Sequence, residues 1–533
     1  MPHVTTRFLK VDAATTKEIF NRFTISIKAC LIFCFVCVLF APPLATILMP
    51  KQDISKVENR KLASFPNFHQ TSAVFFVKLF EQYVSDHLVF RQTLSFLYNR
   101  ISIVGFNKSP LTGIVLGQKG WLFRGSESSM EDVLGKKRLS EDVLETWARK
   151  LQGRKNFLER QGVRYLFFIA PEKESIYPEY LPESFQKRMT NRKRIDQLIA
   201  FLEKNTDIPI LDLRPALMKE KANQQLYYQT DFHWNYIAGW IAYQQILNVV
   251  QSWFPEIRRL NEDSVDIFES RFDQGDLAVF LGLTDIFNET ERVIRVSESC
   301  VTEARNRFNN SSFIKTCPTS SRRVAVFRDS YFCFIEPFLS ECFHTSVYIW
   351  KSWPKMGSYD HKWMKEILQQ IKPDLVIEEL AERFLEARPN LTLEEYLDYE
   401  GPRIGLNLLQ EQISEGQNTL LSNLSNGFLI KADSNDPQLV IHINRKHRDD
   451  AFLHLAIDSP EHTVFQLFFK NHPMDNYSEA NSICCNLDKG SNDLMILLKS
   501  QWLENALRID PGRIPGEYLL RKLDLYFLYP FGQ

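Results

Sequence analysis

The sequence lacks an excess of charge of either sign. Its 533 residues carry 64 Lys and Arg against 65 Asp and Glu, which gives a formal net charge of −1. Without an overall basic field, there is no reason to expect a nucleic-acid partner. The chain also lacks a short repeat of the kind that builds solenoids and propellers. What is present is a chain of ordinary globular composition, long enough for two or three domains with cores of their own.

Long apolar runs are scarce, and the longest lies near the N-terminus. Residues 29–49 contain no charged residue and have about the length that crosses a bilayer. Pro43 stands where a cleavage site would need a small residue, which favours a retained anchor over a cleaved signal peptide. Lys and Arg outnumber Asp and Glu before this run, so the positive-inside rule keeps that end in the cytoplasm. We therefore expect a single-pass inner-membrane protein with its body in the periplasm or another extracytoplasmic space.

Cysteine is sparse outside the apolar run. Three of the nine cysteines lie within it, and the other six show no C-x-x-C spacing, so a zinc site is not predicted. Cys300 and Cys317 flank a polar stretch and are candidates for a disulfide in an oxidising compartment. The sequence suggests no metal and no bound cofactor.

The pattern of the chain divides it into four regions. Residues 1–50 are the predicted cytoplasmic tail and anchor, and 51–139 a linker with the first part of the central region. Residues 140–395 alternate amphipathic helices with apolar runs such as VRYLFFIAP, which predicts an α/β domain with a parallel sheet. Residues 415–533 consist of short alternating segments separated by turns, which predicts an antiparallel β-sandwich.

A serine follows one of the predicted inner strands. The strand RRVAVF runs into Arg328, Asp329 and Ser330, and a helix-like segment comes next. Functional groups of an open parallel sheet gather beyond the C-terminal ends of its strands. A serine at that bend is suited to nucleophilic attack, and its own backbone N–H is a donor to an oxyanion. The alternative is that Ser330 only caps the helix, and the local sequence alone favours that alternative.

The stretch YYQTDFHWNYIAGW supplies an acid and a base. Asp231 and His233 are two positions apart, so both side chains can project to one side of an extended segment. Histidine can take the proton of a serine hydroxyl, and a carboxylate then orients the imidazole. A histidine packed among aromatic residues is the alternative. With Ser330 at the rim of the same predicted sheet, a catalytic triad is the better interpretation.

Several segments then resemble one family. TDFHWN is similar to the Thr-Asp-x-His-Trp signature, and VFRDSYFCFIEPFLSECF to the nucleophile block, of the alginate O-acetyltransferase family within the SGNH hydrolase superfamily. GQKGWLF, FFIAPEKESIYPEYLP, GDLAVFLGL and PDLVIEELAER also match, in the family's order, between about residues 55 and 385. The resemblance implies an SGNH-hydrolase-like domain in circularly permuted order, because the Asp–His element precedes the serine.

The resemblance also implies roles for single residues. Ser330 corresponds to the nucleophile, His233 to the general base and Asp231 to the residue that orients it. Lys173, in PEKESIYP, is a candidate for lining the substrate site. Arg328 departs from the superfamily, which usually has Gly before Asp-Ser, so the form of the oxyanion hole stays open. In the sandwich, Trp502, Tyr477 and Tyr518 are of the residue types that stack on sugar rings, but we expect each to serve in core or turn packing.

The implied function is O-acetylation of an extracytoplasmic polysaccharide through an acyl-serine. A multispanning membrane acyltransferase is the implied supplier of acetyl groups, because acetyl-coenzyme A is cytoplasmic. The C-terminal sandwich is implied to hold polysaccharide. Two alternatives stay open: a carbohydrate esterase with the same triad, and a non-catalytic scaffold of a polysaccharide export complex.

Overall fold

The fold was determined from a computed structural model, which describes most of the chain. The described residues are 28–37, 39–40, 44–46, 54–55, 60–66, 73–88, 91–125, 127–136, 138–190, 193–304, 312–351, 358–389, 391, 393–400, 405–410, 412–443, 449–472 and 474–528. The predicted cytoplasmic tail, and part of the predicted anchor at 29–49, lie outside these residues. Within them, no helix combines the length and the apolar character needed to cross a membrane.

Thirteen α-helices have bounds in the described chain. They are α1 Ala73–His87, α2 Arg91–Arg100, α3 Glu127–Val133, α4 Glu141–Glu159, α5 Lys173–Ile176, α6 Glu183–Gln186, α7 Arg194–Asn205, α8 Arg214–Glu220, α9 Tyr236–Trp253, α10 Asp276–Leu281, α11 Glu336–Leu339, α12 Ser358–Gln370 and α13 Leu393–Glu400.

The strands fall into two groups, before and after α13. The first group is β1 Ile54–Ser55, β2 Arg60–Lys61, β3 Ile114–Leu116, β4 Leu122–Arg124, β5 Arg164–Ala170, β6 Ile210–Asp212, β7 Val265–Phe272, β8 Glu289–Val296, β9 Thr302–Ala304, β10 Phe313–Thr316, β11 Arg323–Arg328, β12 Thr345–Trp350 and β13 Leu375–Ala381. The second is β14 Gly405–Asn407, β15 Gln412–Glu415, β16 Thr419–Leu424, β17 Gly427–Ala432, β18 Leu439–His442, β19 Ala451–Ser459, β20 Thr463–Phe468, β21 Ser482–Leu487, β22 Gly490–Leu498, β23 Leu507–Asp510 and β24 Gly516–Phe527.

The main sheet carries the strands predicted from the apolar runs. Its order is β6-β5-β13-β11-β12-β10-β9, and the first five strands are parallel. β5 is buried at all but its first residue and is a continuous apolar run, whereas β13, which is buried along its whole length, also carries Glu378 and Glu379. Side chains of α4, α7 and α12 pack on this sheet in one apolar core. The predicted α/β domain is confirmed.

The predicted parallel sheet is mixed, because two strands at one edge are antiparallel. β10 pairs antiparallel with β12, and β9 pairs antiparallel with β10. Every residue of β10 is half-buried, so this edge lacks the apolar run by which inner strands are recognised. The predicted disulfide is confirmed in the same region, where Cys300 and Cys317 are bonded with their Cα atoms 5.1 Å apart.

The C-terminal region is an antiparallel β-sandwich, as predicted. One sheet has the order β16-β17-β24-β19-β22 with β14 also paired to β24, and the other β15-β18-β23-β20-β21. Apolar side chains of both sheets form one core. Within it Trp502 stacks on Phe469 at 3.8 Å and Tyr518 is fully buried, so these aromatic residues serve in packing. Tyr477 donates its hydroxyl to the Ala506 carbonyl at 3.0 Å.

The chain folds into two compact units. One comprises residues 1–116 and 273–288, and includes α1, α2 and α10. The other comprises 117–272 and 289–533, and contains the main sheet, the sandwich and a β7–β8 hairpin that the sequence did not predict.

Candidate active site

The predicted nucleophile lies beyond the C-terminal end of an inner strand. β11 lies between β12 and β13, and the chain then turns through Asp329 and Ser330 into a short 3-10 helix, Tyr331–Phe334. The Ser330 side chain makes no capping hydrogen bond to this helix, so the alternative that the serine only caps it is wrong. The helix has only four residues, so its dipole adds little at the serine.

The three residues of the predicted triad are in contact. His233 Nε2 lies 2.7 Å from Ser330 Oγ, and Nδ1 lies 2.8 Å from Asp231 Oδ1. These partners place the imidazole proton on Nδ1, which leaves Nε2 to accept the serine proton. The side chains of Asp231 and His233 are only 8% and 13% exposed, so most water is excluded from the pair.

The spacing Asp-x-His-x-Asn encodes the local geometry. Asp231 Oδ1 also accepts from the backbone N–H of His233 at 2.8 Å, an Asx-turn that brings carboxylate and ring to the same side. Asn235 then caps α9, accepting from Ile237 N and Ala238 N at 3.1 and 3.2 Å. The turn and the cap together fix where His233 sits relative to the start of α9.

Two contacts join the loop that carries Asp231 and His233, which we call the histidine loop, to the turn through Asp329 and Ser330, which we call the serine turn. Trp234 is fully buried, and its Nε1 donates to the carbonyl oxygen of Tyr331 at 2.9 Å. Gly239 in α9 lies against the same turn, and a Cβ there would come within 2.2 Å of the Phe334 carbonyl oxygen. Only glycine permits that close approach, which helps to hold His233 at hydrogen-bonding distance from Ser330.

Lys173 lies beneath the histidine loop. It is 1% exposed, and its Nζ donates to the backbone carbonyls of Tyr228 at 2.9 Å, Gln229 at 3.2 Å and Asp231. Burial lowers the pKa of Lys173 to about 8. Substrate binding by Lys173 stays a prediction, but three protein acceptors already occupy its ammonium group. Its observed contacts are those of a residue that positions Asp231.

Asp329 anchors the serine turn to the sheet. Its carboxylate accepts from Tyr331 N and Ala381 N, each at 2.9 Å, and its own N–H donates to Glu379 Oε2 at 2.7 Å. Burial, and then the neighbouring Asp329, raise the pKa of the Glu379 carboxyl well above its usual range. A neutral Glu379 can lie beside Asp329 without repulsion between two buried carboxylates.

Sequence reasoning missed a polar group on the other side of the histidine loop. The Tyr331 hydroxyl lies 3.0 Å from the Phe232 carbonyl oxygen and 3.2 Å from Glu172 Oε2. Arg383 donates to Glu172 Oε1 at 2.7 Å, and its guanidinium lies 5.1 Å from the centre of the Phe232 ring. Glu172 and Arg383 stand in the PEK and AER segments, but their contact spans 211 positions, which no local pattern reveals.

Arg328, the departure from the superfamily, is packed away from solvent. Its guanidinium lies 5.1 Å from the centre of the Phe313 ring and 4.8 Å from that of Trp350. It donates to the Cys333 sulfur at 3.2 Å and to the Asp329 carbonyl at 3.3 Å. The arginine is therefore compatible with the triad geometry. Among the described residues, the Ser330 backbone N–H has no acceptor, so it can donate to a bound oxyanion.

A cluster with metal-ligand character lies elsewhere but is already occupied. His361, Glu394 and Asp398 bring one ligand atom each within 4.8 Å of one another. The Lys365 ammonium group donates to Glu394 and to Asp398, each at 2.9 Å. An internal cation thus satisfies the two carboxylates, and the cluster does not indicate a metal centre.

The sequence matches a family model described as an SGNH hydrolase-like domain of the acetyltransferase AlgX, over residues 114–382. Among curated proteins, the probable alginate O-acetylase AlgJ of Pseudomonas syringae pv. tomato is 27% identical over 233 residues. That match covers 43% of this chain and 57% of the relative, so the chain spans little more than half the relative's length.

Solved structures with similar backbones include two from the same genus. The O-acetyltransferase domain of Pseudomonas putida AlgJ is 18% identical, with a TM-score of 0.38, covering 54% of this chain and 99% of that one. AlgX of Pseudomonas aeruginosa is 15% identical, with a TM-score of 0.41, covering 78% of this chain and 94% of that one.

Proposed function

Because this chain belongs to the AlgX family of SGNH hydrolase-like acetyltransferases, we propose that it acetylates hydroxyl groups of an extracytoplasmic polysaccharide. The observation that carries the proposal is the unbroken path of hydrogen bonds from Ser330 through His233 to Asp231. A serine hydroxyl is a weak nucleophile until a base removes its proton, and this path supplies that base.

In the first half-reaction the enzyme takes up the acetyl group. Ser330 Oγ attacks the carbonyl carbon of an acetyl donor while its proton passes to His233 Nε2. Asp231 stabilises the resulting imidazolium, and the Ser330 N–H donates to the oxyanion of the tetrahedral intermediate. The intermediate collapses to acetyl-Ser330, and the leaving group takes the proton from His233.

In the second half-reaction the acetyl group passes to the sugar. A sugar hydroxyl gives its proton to His233 Nε2 and attacks the acetyl carbonyl. Collapse of the second tetrahedral intermediate releases the O-acetylated sugar, and Ser330 Oγ recovers its proton from the imidazolium. Atoms and protons balance over the cycle, and no cofactor is required.

The acceptor, the location and the acetyl supplier belong to the same proposal. The curated relative is named a probable alginate O-acetylase, which supports an alginate-like polysaccharide as acceptor. The Cys300–Cys317 disulfide supports an oxidising compartment, and the apolar residues 29–49 support a single-pass anchor in the inner membrane. For a body on the far side of that membrane, we propose a multispanning membrane acyltransferase as the supplier of acetyl groups, as the family resemblance implies.

The test follows the fate of the acetyl group. The full chain is incubated with 4-nitrophenyl acetate, with and without mannuronate oligosaccharides, and both nitrophenol and acetylated sugar are quantified. We expect the acceptor to accelerate nitrophenol release, and the acetyl groups to be recovered on sugar hydroxyls. Ser330→Ala, with folding verified by circular dichroism, is the control.

Two other results would overturn the transfer reaction. Nitrophenol release that ignores the acceptor, with free acetate as the product, identifies an esterase. Release no faster than that of Ser330→Ala, from a folded chain, identifies a scaffold.

A further inference from the structure

The second helix of the N-terminal unit turns an apolar face outward. α2 continues into a π-helical turn, Ile101–Gly105. Five large side chains along it recur at spacings of three and four, which places them on one helix face. They are between 45% and 67% exposed. We call this face the outer stripe; it consists of Leu94, Leu97, Tyr98, Ile101 and Val104.

The opposite face of the helix is attached to its own unit. Asn99 is 8% exposed, and its Nδ2 donates to the carbonyl oxygen of Leu281 at 2.8 Å. Ile103 is buried on the same side, and Arg100 pairs with Asp285. A buried asparagine and an exposed stripe of Leu, Ile and Val reverse the usual arrangement for a helix in water. Apolar patches exposed in this way mark contact surfaces.

Charge identifies the kind of surface that the stripe fits. None of residues 87–126 is Asp or Glu, although the whole chain contains 65 of them. Three basic residues of this interval lie in the N-terminal unit: Lys108, which is exposed, Arg91, which pairs with Asp86, and Arg100, which pairs with Asp285. An apolar helix face combined with basic side chains and no acidic ones is the composition of helices that lie in the headgroup region of anionic bilayers.

The position in the chain points to the same partner. Residues 29–49 carry no charge, and the helical residues described within them expose apolar side chains: Leu31, Ile32, Phe33 and Phe35 are 64–68% exposed. Roughly 40 residues separate this run from α2; 15 of them form α1, and the other ~25 can span up to ~80 Å at ~3.3 Å per extended residue, which is enough to lay α2 on the same bilayer. An exposed apolar face this close to an apolar run has a lipid surface within reach.

We propose that the outer stripe lies in the headgroup region of a phospholipid bilayer and holds the N-terminal unit against the membrane. This inference rests on the proposed function in two respects: the proposed anchor at residues 29–49 supplies the bilayer, and the proposed extracytoplasmic location assigns the stripe to the outer leaflet. Acetyl transfer does not depend on this contact, and the two can fail separately.

The test uses the full chain in nanodiscs of phosphatidylethanolamine and phosphatidylglycerol. A diazirine amino acid is placed at Val104 in one sample and, as the matched control, at Ser95, which is exposed on the same helix outside the stripe. After irradiation, mass spectrometry counts lipid adducts. We expect several-fold more lipid adduct at Val104 than at Ser95. The double substitution Leu97→Glu and Ile101→Glu should abolish the excess, whereas Ser95→Glu should preserve it.

Three outcomes would overturn the proposal: equal lipid adducts at the two positions, adducts to a second copy of the chain in place of lipid, or failure of the chain to elute with the nanodiscs. Acetylation of Ser330 is measured on the same samples. Loss of the lipid signal with normal acetylation defeats this inference alone, and the reverse result defeats the proposed reaction alone.

Discussion

Two Asp–His pairs in different regions of this chain show what turns a histidine into a general base. In the β-sandwich, His454 Nε2 lies 3.1 Å from Asp493 Oδ2, close to the 2.8 Å that joins His233 and Asp231. The second ring nitrogen of His454 is buried and, within the described residues, has no partner, whereas that of His233 meets Ser330 Oγ. The pair itself is therefore not diagnostic; the serine beyond the end of β11 is.

The two pairs also differ in what holds them. His454 and Asp493 stand on β19 and β22, neighbouring strands whose ladder fixes their separation. Asp231 and His233 stand on a loop between helices, held by Lys173 from below and by Trp234 from the side. Regular secondary structure positions the His454–Asp493 pair, whereas buried side chains position the Asp231–His233 pair. Substitutions of the supporting residues should therefore change the geometry of the Asp231–His233 pair only.

Without Ser330, the Asp231–His233 pair should be as inactive as the His454–Asp493 pair, which has no serine beside it. Ser330→Ala leaves His233 with no proton to accept, and turnover of 4-nitrophenyl acetate should fall by about 10⁴-fold or more. Ser340→Ala is the matched control, because Ser340 is a buried serine ten positions further on that bonds to the Glu336 carbonyl at 2.8 Å. An equal loss in both variants would show that the assay reports folding.

The same isosteric change at both aspartates should separate the two pairs. Asp231→Asn disturbs the tautomer of His233 and should lower turnover by about 10²- to 10⁴-fold. Asp493→Asn, the same change at a side chain that is 56% exposed, should leave turnover unchanged. Steady-state kinetics on both variants decides the matter, and near-wild-type turnover in Asp231→Asn would remove Asp231 from the mechanism.

Lys173→Met should reveal whether this lysine positions the loop or binds substrate. If it positions Asp231, kcat should fall by about tenfold or more with little change in KM for the acceptor, because only the transition-state geometry suffers. If it binds substrate, KM should rise and kcat should be preserved. Lys193→Met is the control, since Lys193 Nζ bonds to Ser175 Oγ at 3.0 Å, outside the histidine loop.

The smallest expected effect is on stability. Burial raises the pKa of Glu382, in the active-site domain, to about 7 from a usual value near 4.5. A raised pKa stabilises the fold below pH 4.5, and that contribution is lost as the pH rises to 7. Urea unfolding should show a shallower decline of the unfolding free energy over this interval in Glu382→Gln. Glu517→Gln, at a 62% exposed sandwich side chain, should keep the wild-type slope.

Much of the main sheet is predictable because its inner strands are buried on both faces. VRYLFFIAP corresponds to β5, and RRVAVF to β11, so the end of the strand and the position of Ser330 follow from apolar runs. The Asp–His half of the triad is predictable because Asp231 and His233 are two positions apart, a spacing at which an Asx-turn brings the carboxylate and the imidazole together.

The other features of the fold and of the site depend on contacts between distant residues, which local sequence patterns do not encode. The antiparallel edge formed by β9 and β10 is half-exposed and carries no apolar run. The Tyr331–Glu172–Arg383 group joins residues 159 and 211 positions apart. On α2, Asn99 faces inward and Leu97 faces outward, and no periodicity in the sequence shows which of these two faces meets the protein. Only packing decides which face of a helix meets the protein.

The most direct test of the proposed acyl-serine mechanism is to trap the acetylated enzyme. The full chain is mixed with 4-nitrophenyl acetate, quenched in acid, digested and mapped by mass spectrometry, alongside Ser330→Ala and His233→Ala. The acyl-serine mechanism predicts one acetyl group on the peptide that contains Ser330, absent from both variants and discharged when mannuronate oligosaccharide is added before the quench. Wild-type enzyme that turns over the ester without acetyl on Ser330, or with acetyl on another residue that the two variants retain, would contradict it.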